Sequence, residues 1–289
     1  MPIVTIQEME ELSPLFKGKA GNAFARYLLR VTGAQRIIDL HERIYTGQSG
    51  PDFADEILKE IGIDYLIGHA ERLASMVSGP FITVSNHIYG HIDGIMLVDL
   101  IGHIRPEMKV MVNKVLMYVK GLVPNFISVI PTGEKKTGAT TESINGIKQS
   151  LMQIRKGEPL CLFPSGAVSD LKLTGEPRIR DREWQDSVIK LIRKAGVPIV
   201  PIRFFDRNSW FYYSLGLIDY RIRLIRLCHE MFNKAGSTVR LAIGNPISVE
   251  KQNTFKDNPD SFKAFLRSSV YDMELPDKKD FIHRSELSF

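Results

Sequence analysis

Residues 81–94 read Phe81-Ile82-Thr83-Val84-Ser85-Asn86-His87-Ile88-Tyr89-Gly90-His91-Ile92-Asp93-Gly94. A short apolar run of strand length enters a loop that holds an amide, two imidazoles and a carboxylate. The apolar residues 95–104 beyond it have the length of a helix. Strand, polar turn and helix form the repeating unit of an α/β sheet, and ligands collect at the strand ends of such sheets. The same rhythm recurs outward from this point. Strand-length runs, most of them rich in β-branched or aromatic residues, fall at 109–112, 126–130, 160–163, 199–204 and 239–243. Helical stretches lie between them, most clearly at 140–156 and 185–195. Gly157 and Gly196 stand where helix C-terminal caps are expected. The alternation predicts an α/β fold, a mostly parallel mixed sheet flanked by helices, over residues 79–275.

Upstream, residues 1–75 read as helices, with Phe24, Leu28 and Val31, then Ile37, Leu40 and Ile44, at roughly helical spacing and Arg26, Arg30, Arg36 and Arg43 interleaved. A basic amphipathic helix lies on a membrane or packs on a core, and both readings fit this pattern. Residues 1–78 are therefore expected to form a helical, membrane-proximal segment. The charged residues 276–289 are expected to form a loose tail.

Composition narrows the classes. Apolar residues make up 44% and charged residues 25% of the 289, as in ordinary globular proteins, which excludes disorder over most of the length. The opening residues lack a basic segment followed by an apolar one, so no signal peptide is expected. The longest run free of Asp, Glu, Lys and Arg, 73–92, contains His, Asn, Ser, Gly and Pro residues that make bilayer burial costly. Any work on lipids is expected from the membrane surface. Cys161 and Cys228 lack metal-ligand spacing and read as reduced, buried thiols. The net charge of +5 is concentrated, since residues 178–226 alone carry +6. Such a region suits anionic lipid, nucleic acid or an acidic protein partner, or is simply a solvated surface.

The chemistry gathers in two loops. Asp93 can cap the helix that follows it, and a loop that returns on itself would set its carboxylate beside His87. A carboxylate on one imidazole nitrogen fixes the tautomer and leaves the other nitrogen free to take a proton, which suits a general base for a hydroxyl. A helix cap alone explains Asp93 equally well. The second loop, Phe163-Pro164-Ser165-Gly166-Ala167-Val168-Ser169, again ends a strand in a turn, and Gly166 permits close backbone approach to a ligand. Ser165 lacks the Gly-x-Ser-x-Gly elbow of hydrolase nucleophiles. A third element, Gly196-Val197-Pro198-Ile199-Val200-Pro201-Ile202, reads as a buried strand with Pro at its start.

Taken in order, Asn86-His87 followed by Asp93, then Phe163-Pro164-x-Gly166, then Val197-Pro198-Ile199-Val200-Pro201 resemble the glycerolipid acyltransferases, which include 1-acylglycerol-3-phosphate acyltransferase. The resemblance implies that fold, with His87 as base and Asp93 as its orienter. A lipid hydroxyl would attack an acyl thioester with no acyl-enzyme and no cofactor beyond the co-substrate. Two departures stand out. Five residues rather than four separate His87 from Asp93. The family's Phe-Pro-Glu-Gly-Thr-Arg loop has Ser165 for the Glu and Val168 for the Arg, which removes a bidentate phosphate partner.

The hemolysin-like branch, which includes the O-acyltransferases of ornithine-lipid and glycine-lipid synthesis, shares the five-residue gap. Asn86, His87, Gly90, Asp93 and Gly94 match it, while Ile88 and His91 depart. The likeness continues through Asp181-Arg182-Glu183-Trp184, Arg207-Asn208-Ser209, Glu230, Asn233-Lys234 and Gly244-Asn245-Pro246, with His229 replacing the branch's Arg. This resemblance implies an N-(3-hydroxyacyl) amino acid as lipid acceptor. Acyl-acyl-carrier protein or acyl-CoA would be the donor, and the acidic carrier protein would be steered by the basic region. The site would lie at the cytoplasmic face of a bacterial inner membrane, peripherally bound and with no nucleic-acid partner. Catalytic roles fall to His87 and Asp93, and substrate contacts to Asn86, Gly94, Phe163, Pro164, Ser165 and Gly166. Arg207, Arg203 and Lys114, in that order, are candidates for the acceptor's carboxylate. His91 reads as an exposed loop histidine, and a metal held by His87, His91 and Asp93 is a minor reading. The competing functions are lysophospholipid acylation and a non-catalytic membrane-surface or carrier-binding role.

Overall fold

A computed structural model describes residues 17–130, 141–174 and 179–287. Three helices come first: α1 (Gly18–Thr32), α2 (Ala34–Ile44) and α3 (Pro51–Ile61). They lead into β1 (Asp64–Gly68) and then β2 (Ile82–Ser85), α4 (His91–Ile104), β3 (Lys109–Asn113), β4 (Phe126–Val129), α5 (Thr141–Arg155) and β5 (Leu160–Leu162). A two-stranded ribbon, β6 (Asp170–Leu171) and β7 (Ile179–Arg180), interrupts the alternation before α6 (Asp186–Ala195) and β8 (Ile199–Phe204). The chain closes with α7 (Trp210–Ile218), α8 (Tyr220–Phe232), β9 (Thr238–Ile243), α9 (Val249–Asn253), α10 (Pro259–Tyr271) and β10 (Phe281–His283). The expected strands and the helices at 140–156 and 185–195 are all present.

The eight-stranded sheet has the order β10-β1-β9-β8-β2-β5-β3-β4. Its centre is parallel, with β2 hydrogen-bonded between β5 and β8, whereas β9 runs antiparallel to β8 and β10 antiparallel to β1. Helices cover both faces, as parallel strands require. Side chains alternate accordingly. Ile82, Val84, Leu160, Leu162 and Ile199 join the core beneath α6 and α10. Cys161, Val200 and Ile202 join the larger core that includes α3 and α4. From Ile92 to Gly102, α4 is buried except at Gly94, which explains why its sequence is apolar all round rather than striped.

Two expectations about the ends of the chain are overturned. Residues 1–75 are not all helical: β1 lies inside the sheet, Tyr65 and Ile67 facing the core. Its period-2 signal is five residues long and follows directly on α3, so it is lost beside the helical pattern. Residues 276–287 are not loose. β10 pairs Ile282 with Ile67, and the Arg284 guanidinium donates to both carboxylate oxygens of Asp99, at 2.6 and 2.7 Å. Asp99 sits in the middle of α4, fully buried, and also accepts the Tyr65 hydroxyl at 2.5 Å. A buried carboxylate needs such partners, and its cation comes from 185 residues away. Among the described residues no helix is long and apolar enough to cross a membrane.

Candidate active site

The site forms where β2, β5 and β8 end side by side. Pairing of Ser85 with Ile202 and of Val84 with Leu162 brings the loops after these strands to one edge. Asn86 fixes where the first loop leaves the sheet. Its amide donates to the Phe204 carbonyl and accepts from the Phe204 N–H, both at 2.8 Å, extending the ladder by one side-chain rung. Asn86 thus has a positioning role and is already committed, rather than offering itself to substrate.

The next residue is His87. Its Nδ1 lies 2.9 Å from Asp93 Oδ2. The same carboxylate accepts the Tyr89 and Gly90 N–H groups, at 3.0 and 3.1 Å, as the loop turns into α4. One carboxylate therefore serves both the start of the helix and the imidazole. The turn is made at Gly90, whose φ of +86° favours glycine, and a Cβ there would press on the Leu227 and Val168 methyls at 3.0 and 3.2 Å. Asp93 is fully buried. Burial raises its carboxyl above the ordinary value, while the His87 contact and the two backbone amides oppose that rise. A carboxylate at Nδ1 holds the proton there and leaves the lone pair on Nε2, which has no hydrogen-bond partner among the described residues. The imidazole is 18% exposed, and the Phe163 ring lies against it with centroids 4.2 Å apart.

The backbone of His87 is held as firmly as its ring. Its N–H donates to Asp181 Oδ1 at 3.0 Å, and its carbonyl accepts the Ser169 N–H at 2.7 Å. Asp181 also accepts the Ser169 hydroxyl at 2.6 Å and the Trp184 indole N–H at 3.1 Å. Burial raises its carboxyl, and these donors work against the rise. Sequence reading noticed the segment 181–184 only as part of a likeness. No spacing signal joins residues 94 apart, so the function of Asp181 was not visible.

The loop after β5 closes the other side. Gly166 has φ +64°, and a Cβ there would come within 2.1 Å of the Gln185 amide nitrogen. The Pro164 carbonyl accepts the Gln185 N–H at 2.9 Å. Ser165 is buried, with its hydroxyl donating to the Ala167 carbonyl at 2.8 Å. That bond is internal to the turn and offers no base, so a Ser165 nucleophile is not supported. Val168 is buried and packs with Tyr212, Tyr213 and Leu227 in a small apolar core. The buried Arg223 supports the loop from behind, paired with Asp170 at 2.7 Å and donating to the carbonyls of Ser169 and Val168.

The three cations proposed for the acceptor separate clearly. Arg203 donates to the carbonyls of Tyr271 and Met273 at the end of α10. Lys114 is paired with Glu142 at 2.8 Å. Both are committed elsewhere, which argues against the role expected of them. Arg207 is exposed over the Trp210 ring, 4.5 Å from its centroid. Gly94 lies in the first turn of α4 with open space where a Cβ would stand.

His91 is not an exposed loop residue. It opens α4, its Nδ1 is buried without a partner, and burial pushes its pKa down to about 4. Among the described residues no group of three or more His, Cys, Asp or Glu side chains could hold a metal ion. His229 contacts the Val31 carbonyl at 2.9 Å and so links α8 to α1. Burial pushes the thiols of Cys161 and Cys228 up to about 12 and about 11, which leaves both protonated and unsuited to nucleophilic work.

A family model described as an acyltransferase matches residues 10–272. Over 195 residues the chain is 29% identical to a protein named lyso-glycine lipid O-acyltransferase from Bacteroides thetaiotaomicron, covering 65% of this chain and 68% of that one. It is 29% identical to a protein of the same name from Phocaeicola vulgatus, covering 65% and 66%. Among solved structures, the 1-acyl-sn-glycerophosphate acyltransferase of Thermotoga maritima matches with a TM-score of 0.43 and 13% identity, over 78% of this chain and 83% of that one.

Proposed function

Because the chain belongs to this acyltransferase family and is an acyl-transferring enzyme, we propose that it acylates the hydroxyl of a lyso-aminolipid such as N-(3-hydroxyacyl)glycine, drawing the acyl chain from a thioester. The observation that carries the chemistry is the His87–Asp93 pair. Nε2 takes the proton of the acceptor hydroxyl as its oxygen bonds to the thioester carbonyl carbon. The tetrahedral adduct collapses, the C–S bond breaks, and the thiolate leaves with the proton returned by the imidazolium. Asp93 holds the tautomer and offsets the imidazolium charge while it lasts. No acyl-enzyme is needed, and neither Ser165 nor the two cysteines is placed to form one.

Two observations support an aminolipid acceptor over a lysophospholipid. Two relatives carry the name lyso-glycine lipid O-acyltransferase, and the buried Val168 takes the place of the arginine that would pair with phosphate. The test is a competition. Purified protein receives an acyl-acyl-carrier protein or acyl-CoA with N-(3-hydroxypalmitoyl)glycine and lysophosphatidic acid together, and products are read by mass. The expected product is the diacylated glycine lipid, at least tenfold over phosphatidic acid. Phosphatidic acid alone would overturn the acceptor and keep the chemistry.

The donor and acceptor place the reaction at a bilayer, reached from the side where the acidic carrier protein or CoA is found. On α7 and α1, Trp210, Phe211, Leu217, Ile218, Tyr27 and Val31 are exposed. Arg207 overlies Trp210 and Arg226 overlies Phe211, a pairing that suits an anionic lipid interface. The paired substitution Trp210→Ser, Phe211→Ser is expected to weaken sedimentation with anionic vesicles about tenfold or more, given the apolar area removed. Unchanged sedimentation would move the membrane contact elsewhere.

A further inference from the structure

Beyond the His87 loop lies a cleft of about 470 Å³ between the end of β8, the start of α7 and the turn from α8 to β9. Asp206, Arg207, Asn208, Trp210, Lys234 and Arg240 line it. Their polar groups are unequally satisfied. Arg240 is held by Asp206. Lys234 is only 9% exposed, and its nearest carboxylate, Glu230, is 3.9 Å away, beyond hydrogen-bond reach. Glu230 is already taken by the N–H and hydroxyl of Ser209, at 2.7 and 2.8 Å, and by Asn233. Burial lowers the Lys234 pKa, as expected for an ammonium with no close acceptor. Arg207 is paired with no carboxylate among the described residues and lies over Trp210 alone. Asn208 is 2% exposed. Its NH2 group donates to the carbonyls of Ile88 and Tyr89, at 3.2 and 3.4 Å, and its Oδ1 has no donor.

The cleft is therefore lined by a buried ammonium whose ion pair with Glu230 is long, by an exposed guanidinium with no carboxylate partner among the described residues, and by a buried amide whose Oδ1 has no donor. Buried polar groups left in this state are costly, and a head group that carries both a carboxylate and an N–H answers Lys234 and Asn208 together, with Arg207 exposed in the same lining. We propose that this cleft is the acceptor's head-group subsite, in which Lys234 and Arg207 bind the carboxylate of an N-acyl amino acid and Asn208 Oδ1 accepts its amide N–H. The assignment rests on the lyso-aminolipid reading given above and names the residues that would select that acceptor. A phosphomonoester supplies the charge but lacks the N–H. The subsite is tied to the chemistry through the loop itself. Asn208 holds the two carbonyls that follow His87, and the Lys234 ammonium lies 5.6 Å from the Tyr89 ring and within electrostatic reach of Asp93.

The test compares N-(3-hydroxypalmitoyl)glycine with its methyl ester, which keeps the N–H and loses the charge. With wild-type protein the ester is expected to show a KM about tenfold higher at similar kcat. Lys234→Met raises the KM for the acid about tenfold, leaves the ester within twofold, and largely recovers in Lys234→Arg. Arg207→Gln, at an exposed position where folding is not at risk, raises the KM for the acid alone by about threefold. Loss that falls equally on acid and ester, or an unchanged KM for the acid in both variants, overturns the subsite while leaving the lyso-aminolipid reading intact. Failure of the wild type to acylate the glycine lipid at all overturns both.

Discussion

Replacing His87 with Ala lowers kcat by about 10³-fold or more, within the range a positioned base contributes, and leaves the thermal unfolding curve close to that of the wild type. The side chain is partly exposed and makes one hydrogen bond among the described residues, to Asp93, whose carboxylate keeps its two backbone donors when the ring is gone. Little folding energy depends on the imidazole, whereas nothing else at the strand ends takes its place as a base. The closest imidazole in sequence, His91, is buried with an unpartnered Nδ1 in the first turn of α4. Asp93→Asn separates the two duties of the carboxylate. An amide still caps α4 through its oxygen, but it no longer stabilises an imidazolium and can turn its NH2 group toward Nδ1, so a loss of about 10²-fold or more is expected with the helix retained. Thiol release from the donor thioester, followed with purified variants, measures both. An His87→Ala protein that keeps more than a tenth of wild-type turnover would place the base elsewhere.

The second large effect falls on stability. Asp181→Ala is expected to cost about 3–5 kcal/mol in urea unfolding, because three donors lose their acceptor and each buried unsatisfied group costs about 1–3 kcal/mol. Those donors are the His87 N–H, the Ser169 hydroxyl and the Trp184 indole. Turnover falls as well, since the backbone that aims His87 is released. Asp181→Asn keeps one acceptor oxygen and is expected to cost less than half as much. The pH dependence has a definite sign. Burial raises the Asp181 carboxyl, so the native state holds its proton more tightly than the unfolded chain does. Its contribution to stability is greatest below the unfolded value and falls as pH rises through the raised native one. Asp181→Asn lacks that slope. A loss below 1 kcal/mol for Asp181→Ala would mean that the three donors find other partners.

The features visible in the sequence are those made by near neighbours. Strand and helix periodicity over residues 79–275 reveals the α/β alternation, because each apolar run answers only to the face it covers. The His87–Asp93 pair is visible for a similar reason. The two stand six positions apart, and a turn followed by the first turn of a helix is enough to bring carboxylate and imidazole together. The departure at Val168 is also written in the sequence, although its meaning comes from Tyr212, Tyr213 and Leu227, which bury it.

What only the tertiary structure decided is which polar groups are spoken for. Arg203, Lys114 and Arg207 are alike as cations in a sequence. Folding gives Arg203 the carbonyls that end α10 and gives Lys114 the carboxylate of Glu142, so among the described residues Arg207 alone of the three has neither a carboxylate nor a carbonyl partner. Asp181 reaches His87 across 94 residues, Asn86 reaches Phe204 across 118, and Arg284 reaches Asp99 across 185. Lys234 and Asn208 line one cleft only because α7 and α8 fold back between β8 and β9. Hydrogen bonds and ion pairs carry no period along the chain. Their partners are set by which strand ends adjoin and which helix covers them, and that follows from burying the two faces of the sheet as a whole.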